Sequence, residues 1–439
     1  MQIRKIGFAT AVSLVIANMI GTGVFTSLGF QVMGVHTFFA VLVLWLIGGI
    51  MALCGALVYG EIGAAFPQSG GEYNYLSKLY HPLVGFLSGW VSSTVGFAAP
   101  VALAAMALGK YVQSVFPSAD PTLTAICVLA AITLLHATDL KAGAGFQRAL
   151  TFLKVGFILF FIIAGLMSTS SHQELSLLPT SESYSDIFAN GAFAVSLFWV
   201  SYSYSGWNAA AYMTGEIENP NRNLPRSLFV GTLIVSILYV LLNYIFLLTT
   251  PVAELSGQVE IGHISATHIF GESFGNFMGI IISLLLVSSI SAMVMVGPRV
   301  VSSIGEELKL LNLFSIKNKR GVPFIAVIFQ SLIALVLILT AKFNEVLELI
   351  GFTLSLFTTL TVFGVFILRY KFKTLERPYR TWAYPATPII FLIINAWILY
   401  YGFTSKMSSS LYGLAIVAVG ALIWFAGNSG KKNSIKINT

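Results

Sequence analysis

The 439 residues are 56% hydrophobic and only 9% charged, against about 25% charged in an ordinary soluble domain, which excludes water as the main solvent. The formal net charge of +7 is spread over short gaps between apolar runs and forms no basic stripe interleaved with aromatics, which excludes a nucleic-acid surface. Two cysteines, Cys54 and Cys127, each sit in an apolar stretch; they read as core packing and exclude a disulfide framework or a zinc ligand set.

A spanning helix uses about 20 apolar residues. Apolar runs bounded by Gly, Pro and charge predict spans at 6–33, 38–65, 83–116, 122–138, 147–168, 189–213, 227–249, 275–303, 323–341, 346–369, 384–404 and 409–427. The expectation is an all-α integral membrane protein with twelve transmembrane helices. The first run follows Arg4-Lys5 as a signal peptide would, but no small-residue cleavage site closes it, so it is retained as the first helix. The first, third and eighth runs are longer than a bilayer needs, which points to tilted or interrupted helices.

Alternating the loops places Lys78, Lys141, Arg148, Arg222, Arg226, the basic residues of 309–320 and 369–380 and those of both termini on one side. Only Lys110, Lys342 and Lys406 fall on the other side, and the loops 169–188 and 250–274 carry no Lys or Arg. The positive-inside rule then predicts a multi-pass protein of the cell membrane with both termini in the cytoplasm.

The first span reads Ile20-Gly21-Thr22-Gly23-Val24-Phe25, with two glycines near the middle of the membrane, each costing a helix about 1 kcal/mol relative to Ala. Small residues that let helices pack closely would explain them. So would an unwound stretch whose freed N–H groups and half-helix dipole face an anion such as a carboxylate. A nucleotide loop does not fit, because position 26 is Thr and no strand precedes it. The sixth span carries a matching cluster, Phe198-Trp199-Val200-Ser201-Tyr202-Ser203-Tyr204-Ser205-Gly206-Trp207-Asn208.

Paired interruptions opening two groups of five spans point to a transporter whose site lies between two inverted repeats. Unpaired carbonyls at the end of each first half suit an ammonium group, so the implied ligand is a zwitterion. With no Asp or Glu beside either break in the sequence, a basic side chain lacks a counter-charge and neutral substrates are expected.

The segments Gly21-Thr22-Gly23-Val24-Phe25, Tyr204-Ser205-Gly206-Trp207-Asn208, Glu216-Ile217-Glu218-Asn219-Pro220-Asn221-Arg222-Asn223-Leu224-Pro225 and Arg377-Pro378-Tyr379-Arg380 to Tyr384-Pro385 resemble the amino acid-polyamine-organocation superfamily, and within it the L-type amino acid transporters and their bacterial relatives. The resemblance implies the LeuT-type fold: a first inverted repeat at 1–168, an outer loop at 169–188, a second repeat at 189–370, two peripheral helices at 371–427 and a cytoplasmic tail at 428–439. It implies a substrate carboxylate at Thr22 and the N–H of Gly23, and an ammonium at carbonyls near Ile20, Tyr202 and Ser205, beside Gly206 and Trp207. Pocket or gate positions are expected at Ser93, Pro100, Phe198, Trp199, Asn208, Tyr239, Phe352 and Ser355.

Lys154 lies inside the fifth span, where a charge costs at least about 2.5 kcal/mol on insertion scales. It can snorkel to the nearby interface. The resemblance implies a second reading, in which its ammonium replaces the sodium ion of coupled relatives, bridges the first and eighth spans near Ser288, Ser289 and Ser291, and makes transport sodium-independent by exchange or with protons as coupling ion. Glu61, Glu216 and Glu218 read as solvated loop charges, with an inner gate to Arg222 as the alternative. The six histidines form no ligand array and no nucleophile has a base at motif spacing, so an enzyme is not expected and no cofactor is implied. The short Pro117 to Pro121 loop has no cysteine, so no disulfide-linked subunit is expected. The predicted function is carriage of neutral L-amino acids, small ones above all; the rivals are a carrier of cationic amino acids or polyamines and a non-transporting sensor.

Overall fold

The computed structural model describes residues 6–138, 144–168, 172–189 and 191–428. The expectations placed on Arg4, Lys5, Lys141 and the tail lysines lie outside them. The regular elements of the described residues are helices: α1 Phe8–Met19, α2 Gly23–Thr26, α3 Leu28–Gln31, α4 Phe38–Ala65, α5 Glu72–Leu79, α6 Pro82–Val91, α7 Ala98–Val115, α8 Pro121–Thr138, α9 Ala144–Met167 and α10 Ser181–Tyr184. There follow α11 Gly191–Tyr204, α12 Pro220–Thr249, α13 Val252–Leu255, α14 Ile261–Phe270, α15 Glu272–Glu307, α16 Phe324–Thr340, α17 Phe343–Lys371, α18 Ala386–Ser405 and α19 Met407–Asn428. Among the described residues nine helices are long and apolar enough to cross a membrane, and shorter apolar helices occupy 152–167 and 324–340. The single recorded β contact there is a parallel bridge between Ile6 and Ile217.

Helix starts follow local chemistry. The Asp186 carboxylate accepts from the backbone N–H groups of His36 and Thr37 and from the Thr37 hydroxyl, each at 3.0 Å. A negative group thereby meets the positive end of α4. Pro82 opens α6, and the His81 Nδ1 accepts from Leu83 N–H. A π turn at Ser92–Gly96 separates α6 from α7, so the long third run is one interrupted helix.

Helices α4 and α15 pack along α12 and α7 respectively, and α1 lies against α12. These contacts bury Val15, Met19, Val24, Phe25 and Leu28, so the axis of α1 to α3 runs through the centre rather than along the lipid face. The cysteine expectation holds for Cys54, which is buried, but not for Cys127, which is exposed on the outer face of α8. An apolar stretch serves lipid contact as well as a core, and composition does not separate the two.

Candidate substrate site between two broken helices

The first helix stops at Met19 and resumes at Gly23. Ile20 is extended, with φ −74° and ψ 90°. The carbonyls this frees are met by side chains from other helices, as a membrane interior requires. Tyr239 on α12 donates its hydroxyl to Met19 O at 2.6 Å, and Lys154 on α9 donates to Ile20 O at 3.1 Å. Across the gap, the N–H groups of Thr22, Gly23 and Val24 head the second half with no backbone acceptor among the described residues.

The partner break follows α11. Helix persists through Tyr204, and residues 205–208 form a turn that leads into a 3-10 segment at Ala209–Glu216. The interruption therefore lies at 205–208, the last part of the 198–208 cluster, because the Tyr202 to Tyr204 stretch keeps its helical bonds. Gly206 has φ +94°, and a Cβ there would sit 2.7 Å from the backbone of Asn18 on α1. Both the left-handed conformation and the close approach demand glycine. Gly23 faces a similar constraint, since its Cβ would lie 2.5 Å from Ser203 Cα. The two interrupted helices are thus in backbone contact at their breaks.

Between them is a small pocket of about 30 Å³ lined by Asn18, Gly21, Thr22, Gly23, Pro100, Ala104, Tyr202, Ser205, Ser289 and Met293 among others. Thr22 Oγ1 and the Tyr202 hydroxyl share a 2.6 Å hydrogen bond across it. Several of these residues, namely Asn18, Pro100, Tyr202, Ser205 and Met293, also line a vestibule of about 560 Å³. That larger space reaches Ser69, Glu72, Glu216, Ser303 and Glu307 at the end of the molecule carrying α5. On the opposite side, Phe30 stands 5.8 Å from Trp199 and 5.7 Å from Phe343, ring centre to ring centre. Gly257 N–H also bonds Gly29 O at 2.8 Å, laying the 250–260 loop over that end.

Lys154 is buried and donates both to Ile20 O and, at 2.9 Å, to Ser289 Oγ on α15. It therefore ties the first break to α15 rather than snorkelling. Ser288 is buried next to it, and Ser291 turns away to bond His136 Nε2 at 2.8 Å. Of the remaining predicted positions, Gly206, Trp207, Asn208 and Ser355 line the vestibule. Ser93 donates to Trp90 O within the π turn, Phe198 packs against Gly351 and Gly402, and Phe352 is buried beside Gly413; these three lie away from both cavities.

Two acidic residues depart from their sequence reading. Glu61 is fully buried, not solvated: Arg369 on α17 donates to its oxygens at 2.9 and 2.7 Å, and Thr381 N–H adds a third bond at 2.7 Å. Glu72, on the linker helix α5, brings a carboxylate to the second break. It accepts from Asn208 Nδ2 at 3.0 Å, from the Tyr59 hydroxyl at 2.7 Å and from Ser88 Oγ at 3.4 Å. The expectation of no acid near either break is corrected. Burial pushes the Glu72 carboxyl above the usual carboxylate range, against the pull of those three donors. Asn18 and Glu72 were not singled out from sequence. Asn18 carried a signal, as a polar residue one turn before the Gly21 break, whereas Glu72 arrives from a distant linker and left none.

The family model described as amino acid permease matches residues 6–426. The chain belongs to this family. It is 28% identical to the large neutral amino acids transporter small subunit 2 of Mus musculus, over 97% of this chain and 81% of that protein. It is 29% identical to the serine/threonine exchanger SteT of Bacillus subtilis (strain 168), over 98% of each. The b(0,+)-type amino acid transporter 1 of Mus musculus is 26% identical over 96% of this chain and 87% of its own length. The permease is a multi-pass membrane protein of a transporter family, and its chemistry is binding and release rather than bond-making.

Proposed function

We propose that this permease is a sodium-independent secondary transporter of neutral L-amino acids, working by alternating access as an exchanger or proton-coupled carrier. The observation that carries the reading is the pair of breaks at 20–22 and 205–208 facing one pocket. A carboxylate fits the N–H groups at Thr22 and Gly23, where the dipole of the second half-helix favours negative charge. An ammonium fits the carbonyl side of the breaks near Ile20, Tyr202 and Ser205. To admit the carboxylate, the Thr22–Tyr202 bond opens and its two hydroxyls turn to the substrate.

In this reading the chain spans the membrane twelve times with both termini in the cytoplasm, and 1–168 and 189–370 are inverted repeats of a LeuT-type fold. The vestibule is then the cytoplasmic exit, and the Phe30, Trp199 and Phe343 rings close the outer side. Lys154 holds a positive charge between the first break and α15 where a sodium ion would otherwise be needed. The names of the mouse and Bacillus relatives, a neutral amino acid transporter subunit and a serine/threonine exchanger, support the substrate class.

Counterflow into protein-only liposomes tests it. Loading with each of the twenty amino acids in turn should drive uptake of labelled L-serine most strongly for small neutral residues, equally with and without sodium. Uptake that requires sodium would overturn the coupling assignment. The Glu72 carboxylate beside Asn208 favours a second reading, a carrier of cationic amino acids; the same panel separates them, because lysine or arginine would then drive the exchange best.

A further inference from the structure

The walls of the vestibule carry three carboxylates, Glu72, Glu216 and Glu307, and one guanidinium, Arg299. Glu72 is held by Tyr59, Ser88 and Asn208, and Glu307 accepts from the Tyr73 hydroxyl. Arg299 forms no ion pair with any of them, and has no carboxylate partner among the described residues. It is exposed to the cavity rather than buried in the helix bundle.

Its place on α15 gives it a direction. Ser289 and Met293 line the small pocket, and Met293, Val296, Arg299 and Ser303 continue along the vestibule. At a rise of about 1.5 Å per residue, Arg299 stands roughly 9 Å beyond Met293 along the same helix. A carboxylate leaving the N–H groups of the first break therefore moves toward the carboxylates of Glu216 and Glu307. Without a compensating charge the low-dielectric walls would focus a repelling field on it.

We propose that Arg299 forms a second, transient carboxylate-binding station, which receives the α-carboxylate of an amino acid between the central site and the open end of the vestibule. The proposal rests on the transport reading above. A planar guanidinium can take both oxygens of a carboxylate at once, which a lysine ammonium at the same position would do less well. The station is water-exposed, so its effect is modest, about two- to fivefold in apparent affinity. It acts only on substrate approaching or leaving through this mouth.

Uptake of labelled L-serine into inside-out membrane vesicles reads the cytoplasmic face, and uptake into whole cells reads the outer face. Arg299→Gln should raise KM about two- to fivefold from the cytoplasmic face and leave the outer KM unchanged, with Arg299→Lys in between. Raising salt on the cytoplasmic face should weaken the wild type more than Arg299→Gln. An unchanged cytoplasmic KM, or a KM raised equally on both faces as disturbed packing of α15 would give, overturns the station while leaving the transport reading standing. If the wild type carries no L-serine from either face, the transport reading fails and the station falls with it.

Discussion

The glycines of the two breaks are not equivalent. A Cβ on Gly206 would combine a left-handed φ of +94° with a 2.7 Å approach to Asn18, and one on Gly23 would meet the Ser203 backbone at 2.5 Å. At Gly21 the nearest atom would be Met19 O at 3.9 Å, an ordinary contact. Gly206→Ala and Gly23→Ala should therefore abolish uptake or destabilise the chain by several kcal/mol, about 2 or more each, whereas Gly21→Ala should fold with a melting temperature near that of the wild type. Melting in detergent distinguishes them; equal losses at all three would contradict the geometry.

Glu72 makes a pH prediction at the same scale. Burial raises its carboxyl, so the folded chain keeps a proton that the unfolded chain has already released. The stability from this group is complete below the ordinary carboxylate range and is lost as pH rises through the raised value. Glu72→Gln should flatten that slope of melting temperature against pH. Glu72→Ala should cost about 1–3 kcal/mol by leaving the Tyr59, Ser88 and Asn208 donors without their acceptor. A wild-type slope in Glu72→Gln would show that another group governs it.

Among the elements, the clamp at the vestibule end joins α4 to α17 through Glu61 and Arg369, with the Arg369 guanidinium 3.6 Å over the Tyr384 ring. Removing one partner of a buried pair leaves a charge uncompensated. Arg369→Met should cost about 3–5 kcal/mol, and adding Glu61→Gln should recover part of the loss. Additive losses in that double-mutant cycle, read by thermal melting, would mean the two side chains act separately.

The elements also mark what a sequence can reveal. The first break was legible because Gly21 and Gly23 weaken a helix locally and the chain says so within three residues. The second was legible only as a cluster of eleven residues, since the Ser and Tyr run up to Tyr204 keeps its backbone ladder and the turn waits for Gly206. Lys154 was legible as an anomaly, a charge inside an apolar run, and the structure supplied its two acceptors. The Glu61–Arg369 pair spans 308 positions and Glu72 meets Asn208 across 136. No local pattern encodes partners that only the packing of distant helices brings together.

On the scale of the whole molecule, the central pocket opens through the vestibule at one end, while aromatic rings and the 250–260 loop cover the other. Alternating access requires those two closures to exchange while the breaks stay in contact through Gly23 and Gly206. Lys154 joins α9, the first break and α15. Lys154→Ala leaves Ile20 O without its donor, and should reduce the exchange rate at least tenfold while costing about 1–3 kcal/mol of stability. Wild-type turnover in liposomes would contradict its role.

The central claim is that exposed backbone at two breaks grips both charges of an amino acid. Inhibition of labelled L-serine counterflow by paired analogues tests it most directly: L-alanine, its methyl ester, and propionate, which lacks the amine. The account predicts competition by L-alanine alone, since each analogue has lost one of the two charges. Competition by the ester or by propionate as strong as that by L-alanine would contradict it.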